Sequence, residues 1–217
     1  MVTARNEVDR LPDTLAALHT AFPGARVVVA DDGSSDGTSQ AALEADAELA
    51  RSPRPIGKGG AATLGAERLA AGGVERAVVL CDGDLGASAA HLRALVEVID
   101  AGDADLVVAA FARRVGGGFG IALGLAGRAI RRLTRLELSA PISGQRAMRP
   151  EVLPAVLPFA GGFGMEIGMT VDAHRAGFRI VEVELDLEHR ATGRSARGFA
   201  HRARQLADFA RVYASRR

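Results

Sequence analysis

The chain has 217 residues, of which 48% are hydrophobic and 24% charged: enough apolar content for a buried core, and too much for a disordered chain. A net charge of +1, from 27 basic and 26 acidic residues, excludes a globally basic nucleic-acid coat, and the single Cys81 excludes a disulfide framework or a multi-cysteine zinc site. Arg5, Glu7, Asp9 and Arg10 interrupt any apolar leader and no uncharged stretch reaches the ~18 residues of a spanning helix, so a soluble, cytoplasmic globular protein is expected.

Taken in order, the chain opens with Met1 to Ala4, which leaves three or four residues for a first strand: either that strand is unusually short or the start codon was placed late. Helical spacing runs over Leu11 to Ala21, Ser39 to Leu49, Ala61 to Ala71 and Ser88 to Ala101. Between these lie the short apolar runs Val27 to Ala30, Ala77 to Leu80 and Leu106 to Ala110, which read as strands buried on both faces. The alternation predicts βαβ units and a mostly parallel sheet flanked by helices, in one domain. Ligands of such sheets bind at the carboxyl ends of the strands, which places Asp31-Asp32 and Asp82-Gly83-Asp84 on one rim. Beyond residue 110 the pattern changes. Arg113 to Arg135 is glycine-rich and then amphipathic, with six arginines and no acid. Ile142 to Met148 reads as a strand followed by a short helix opened by Pro150, Gly164 to Ala176 as a helix and Arg179 to Leu187 as a strand. The last twenty residues read as a basic amphipathic helix. The expected organisation is a donor half over 1–110 and an acceptor half over 111–217.

Charge follows the same division. Residues 1–100 carry 15 acids and 9 bases, and residues 101–217 carry 11 acids and 18 bases. An acidic half suits a metal ion, and a basic half suits an anionic partner or a phosphate-bearing substrate. Among the bases, 26 are arginine and only Lys58 is lysine. Set in Gly57-Lys58-Gly59-Gly60 before a helix, it can neutralise a diphosphate, although the loop lacks Walker spacing. Asp82 and Asp84, separated by glycine at a strand exit, can turn toward one hard cation, yet Asp-Gly is also a common turn and alone favours a turn. Asp32 is favoured as a ligand contact over Asp31, and Asp36 and Thr38 as helix caps. Glu166 heads a helix, where it suits the helix dipole or a sugar hydroxyl. His189, with Arg190, Arg194 and Arg197 beside it, suggests a phosphate-binding loop.

In chain order these pieces resemble the GT-A glycosyltransferases of family 2. Thr3-Ala4-Arg5-Asn6-Glu7 looks like that family's opening nucleotide motif, and Val29 to Thr38 is similar to its second strand and turn. Asp82-Gly83-Asp84 stands at the DxD position. Ser143-Gly144-Gln145-Arg146 resembles an acceptor-side motif of polyprenyl-phosphate (dolichol-phosphate mannosyltransferase-like) sugar transferases, whereas Gly162 to Gly168 with Glu188-His189-Arg190 looks closer to glucosyl-3-phosphoglycerate synthases. The resemblance implies a GT-A fold and a hexosyltransferase using Mg²⁺ or Mn²⁺ and a nucleotide diphosphate sugar. It places Ala4, Arg5, Glu7, Asp32, Lys58, Asp82 and Gly83 at the donor, and Asp84 and His189 at the metal. Catalytic roles fall to Asp84, Glu166 and Arg146, and Gly144, Arg146, Arg190 and Arg194 face the acceptor. That acceptor is expected to be a small anion; a polyprenyl phosphate at the membrane surface, with peripheral membrane contact, is the alternative. A sugar nucleotidyltransferase and a non-catalytic nucleotide-sugar-binding module are the rival classes. A homodimer is the expected assembly, with no nucleic acid partner.

Overall fold

The computed structural model describes residues 1–112, 120–188 and 207–216. The elements in chain order are β1 (Val2–Ala4), α1 (Leu11–Ala21), β2 (Val28–Asp31), α2 (Thr38–Glu44), β3 (Glu48–Arg51), α3 (Lys58–Ala71) and β4 (Val78–Asp82). A 3-10 turn over Gly86–Leu92 then leads into α4 (Arg93–Asp100), β5 (Leu106–Phe111), α5 (Gly120–Thr134), β6 (Arg146–Met148), α6 (Val152–Val156), α7 (Met165–Arg175) and β7 (Ile180–Leu185). Residues 207–215 form a further helix, α8.

The described strands make one seven-stranded sheet in the order β3-β2-β1-β4-β6-β5-β7, parallel except for β6. Alternation along each strand sends side chains to two cores. Val29 and Val107 face a cluster with Leu11 and Leu15 of α1 and Leu92, Leu95 and Ile99 around α4. Their neighbours Val28 and Leu106 face a second cluster with Ala62, Ala66 and Leu69 of α3 and Met165 and Met169 of α7. Because both faces are covered, the strands read as continuous apolar runs, and each fully buried leucine contributes about 1.5–3 kcal/mol.

Two helices differ from expectation. The predicted helix over 39–49 ends at Glu44, because Asp46 takes a positive φ of 57° and the chain turns into β3. The predicted helix over 88–101 divides into the 3-10 turn and α4. The antiparallel β6 matters most for function. It lies between β4 and β5 with Leu80 opposite Arg146, so its first residues meet the rim where β4 and β5 end.

Candidate active site

The chemistry gathers at the exit of β4. Thr3 pairs with Asp82 in the β1–β4 register, and its Oγ1 donates to Asp82 Oδ1 at 2.9 Å. Lys58, the first residue of α3, brings Nζ to 2.7 Å from the same Oδ1 and to 2.9 Å from Oε1 of Glu166 in the first turn of α7. Gln145 Nε2 donates to Asp82 Oδ2 at 3.2 Å. Gly144 leaves room for this cluster: a Cβ there would lie 2.4 Å from Lys58 Nζ and 3.0 Å from Asp82 Oδ2. Burial alone would lower the Lys58 ammonium, but Asp82 and Glu166 outweigh it and hold it above its ordinary value. Burial would raise Asp82, yet Lys58, Thr3 and Gln145 together hold its carboxyl below the usual range. Asp82 and Lys58 are therefore a fixed anion and a fixed cation at neutral pH.

The turn that follows is pinned from α1. Thr14 Oγ1 donates to the Gly83 carbonyl at 2.9 Å and accepts from the Gly86 amide at 2.8 Å. Ala4 and Gly83 are buried beneath this turn, and Asp84 is half-buried at its end. Among the described residues no three His, Cys, Asp or Glu side chains come together as a metal cage. Asp84, two residues beyond Asp82, is a further hard oxygen donor at the strand exit. This donor set fits a cation held by one carboxylate and completed by substrate phosphates, as Mg²⁺ commonly is.

Asp32, at the exit of β2, accepts the Ile56 and Gly57 amides on Oδ1 at 2.6 and 2.9 Å, and Arg5 Nη1 stands 3.9 Å from Oδ2. It thereby shapes the loop leading into Lys58. A cavity of about 620 Å³ opens beside that loop, with Arg5, Ile56, Gly57, Gly162, Arg211 and Arg216 among its lining residues. Its α8 wall is seated closely, since a Cβ on Gly162 would lie 2.1 Å from Asp208 Oδ2.

The structure thus brings together Lys58, Asp82, Glu166 and Gly144, with Gly83 and Ala4 beneath them and Arg5 and Asp32 alongside. Glu7 is half-buried, and its backbone amide donates to Thr38 Oγ1 at 2.9 Å. Arg146 requires correction. It is fully buried and donates to the Ser143 carbonyl and to Thr170 Oγ1, both at 2.9 Å, so it faces the interior and not an open acceptor space. Burial lowers its guanidinium to about 10, a shift that Glu166 and Glu182 oppose. His189, Arg190 and Arg194 lie outside the described residues. Thr14 escapes sequence reasoning, and Thr3 and Gln145, although they fall within the quoted motifs, carry no role there. A threonine in a strand or helix carries no chemical signal, and only the register and the direction of β6 bring Thr3 and Gln145 to Asp82.

Residues 1–157 match the sequence profile of glycosyl transferase family 2. The chain belongs to that family. This family 2 glycosyltransferase is 31% identical over 214 residues to an undecaprenyl-phosphate mannosyltransferase of Micrococcus luteus, spanning 90% of this chain and 85% of the relative. It is also 31% identical over 212 residues to a polyprenol monophosphomannose synthase of Mycolicibacterium smegmatis, spanning 89% and 78% respectively. Among solved structures it superposes on glucosyl-3-phosphoglycerate synthase from Mycobacterium tuberculosis in complex with phosphoglyceric acid. That match has a TM-score of 0.78 and 26% identity, and covers 98% of this chain and 78% of the other. The same enzyme with Mn²⁺, UDP-glucose and phosphoglyceric acid gives a TM-score of 0.75 and 27% identity at the same coverage. The fold is of the GT-A type. Membership sets aside both the nucleotidyltransferase and the non-catalytic module.

Proposed function

We propose that this glycosyltransferase moves a sugar from a nucleoside diphosphate onto a small, phosphate-bearing acceptor, with Mg²⁺ or Mn²⁺ as cofactor. The observation that carries this reading is the Asp82–Lys58–Glu166 cluster at the strand ends, beside the half-exposed Asp84. Arg5 and Asp32 border the nucleoside, with Ala4 and Gly83 beneath the donor. Lys58 is the fixed cation nearest the diphosphate, Asp82 accepts from a donor hydroxyl, and Glu166 accepts from the sugar. Asp84 holds the cation, with His189 as its second ligand. The cation supplies neutralising charge for the departing diphosphate. Arg146 acts from behind, lending positive charge to Glu166 without touching the acceptor. An acceptor that is already an anion needs little deprotonation at pH 7, and the 18 bases of residues 101–217 suit its charge.

The second reading, a polyprenyl-phosphate acceptor at a membrane surface, is favoured by the two mannose-transferring relatives. Against it stands the packing of α5. Ala126 and Ile130 are buried against Ile167 and Val171 of α7 and Phe209 and Val212 of α8, and Leu133 packs beside them. Among the described side chains of this helix, Leu125 is the large apolar one left exposed, at 41%. Among the described residues no helix is long and apolar enough to cross a membrane. One product assay decides between the readings. UDP- and GDP-linked sugars are offered with Mn²⁺ and either 3-phosphoglycerate or a polyprenyl phosphate in detergent. Metal-dependent transfer to the soluble acceptor is expected. Transfer to the lipid alone would establish the second reading, and binding of neither nucleotide sugar would sink both.

A further inference from the structure

Gln145 is 2% exposed, yet half of its side-chain amide is unsatisfied: among the described residues Oε1 has no hydrogen-bond partner. Its backbone is held on both sides, with the carbonyl accepting the Ala109 amide at 2.9 Å and the amide near Ser143 Oγ at 3.4 Å. The amide group has two orientations, and Asp82 decides between them. With Nε2 toward Asp82 Oδ2, at 3.2 Å, a donor meets a carboxylate. Flipped, the amide oxygen would face Asp82 Oδ2, acceptor against acceptor, while Lys58 and Thr3 already occupy Oδ1. A buried amide that leaves its carbonyl orphaned is poorly suited to stabilising a fold.

Asp82 shows what the arrangement achieves. Its Oδ1 is taken by Lys58 and Thr3, and Oδ2 by Gln145. The three donors come from α3, β1 and the start of β6, so the carboxylate is held in one plane. Its side chain remains 30% exposed, which leaves an acceptor edge toward the opening. We propose that Gln145 is a positioning residue that aims this free edge of Asp82 at a hydroxyl of the sugar nucleotide. The inference rests on Asp82 being a donor contact, as the proposed function has it.

The test compares wild type, Gln145→Met, Asp82→Asn and the double variant. Removing the amide removes the orphaned carbonyl too, so the Tm of Q145M is expected to equal or exceed that of wild type. Its KM for the nucleotide sugar is expected to rise about tenfold, with kcat and the acceptor KM within about twofold. In the D82N background the same substitution is expected to add less than about twofold, because it acts through Asp82. Gln145→Asn, one methylene too short to reach Asp82, is expected to behave as Q145M does. An unchanged donor KM in Q145M or Q145N, or an undiminished tenfold effect in D82N, would overturn the assignment. So would a Tm lowered by several degrees with all kinetic constants changed, the mark of a structural role. A wild type that binds no nucleotide sugar would bring down the donor reading of Asp82 and this inference together. Wild-type binding that Q145M leaves untouched brings down this inference alone.

Discussion

Two acidic strand ends lie on one rim, with β1 between them, and are satisfied in different ways. At the exit of β2, Asp31 is fully buried and its hydrogen bonds come from near neighbours in sequence: the Ser34 amide at 2.8 Å, the Ser34 hydroxyl at 2.5 Å and the Ser39 hydroxyl. Arg51 Nε of β3, at 3.6 Å, is its one more distant partner among the described residues. Asp36 accepts the Thr38 amide and hydroxyl, at 3.0 and 2.5 Å, and also the more distant Val8 amide at 3.3 Å. It lies below the usual carboxylate range: desolvation opposes the shift, but Thr38 and the Val8 amide prevail. At the exit of β4, Asp82 is bound by Thr3, Lys58 and Gln145, 79, 24 and 63 residues away, and remains partly open. Short-range partners build a turn. Long-range partners assemble only when the whole sheet has formed, and that is where a ligand can be read by several elements at once. Asp32 stands between these cases, since it spends one oxygen on loop amides and turns the other toward Arg5.

Removing the cation at the β4 exit tests this contrast most severely. Lys58→Ala leaves Asp82 facing the nearly buried Glu166 without a counter-charge, and a cost of about 3 kcal/mol is expected in denaturant unfolding. Nucleoside diphosphate binding should be lost with it. Asp84→Ala is next: Mn²⁺-stimulated binding of nucleoside diphosphate should weaken about 100-fold, read by titration calorimetry, as expected of a metal-site residue. Retained Mn²⁺ dependence would move the metal elsewhere. Asp31→Ala should do the reverse of Asp84→Ala. It strips several buried donors of their acceptor and should cost about 2 kcal/mol of stability while leaving the metal dependence of binding intact.

The smallest effect belongs to Glu48, at the sheet edge beside β2. Its hydrogen bond from Arg26 outweighs desolvation and, with Arg68, holds its carboxyl down at about 2 against an ordinary 4.5. A depressed carboxyl contributes stability above its unfolded value and loses it as the folded group protonates. Wild type should therefore lose this contribution between about pH 4.5 and 2, and Glu48→Gln should flatten that part of the pH–Tm profile. The ion pairs are partly exposed, so less than about 1 kcal/mol is at stake.

The same contrast explains what the sequence could and could not reveal. The strand exits, the glycine-flanked Lys58 and the helices α1 and α3 carry local signals, namely apolar runs, turn glycines and helical spacing. β3 does not: Glu48-Leu49-Ala50-Arg51 has no β-branched residue and continues the helical composition before it. What makes it a strand is the Asp46 turn and the open edge of β2. Arg146 and Gln145 sit next to each other in one motif, yet one bonds inside the fold to Thr170 and the other reaches Asp82 on the rim. A motif gives their neighbourhood, but only the antiparallel pairing of β6 gives their directions.

That pairing has a consequence for how such a protein can diversify. The chain leaves the sheet after Phe111 of β5 and re-enters at Arg146 of β6, in adjacent strands and at the same rim. The segment between them, which includes α5, is therefore an excursion tied to the sheet at two fixed anchors. Lengthening such an excursion is cheap, since each doubling of a flexible loop adds only about 0.6 kcal/mol of closure entropy. On the proposed reading this stretch belongs mostly to the acceptor half, whereas Asp82 and Lys58 lie outside it, on β4 and α3. A lineage could rewrite what receives the sugar by editing this insertion short of Gly144 and Gln145, which sit against Lys58 and Asp82, and inherit the nucleotide machinery unchanged.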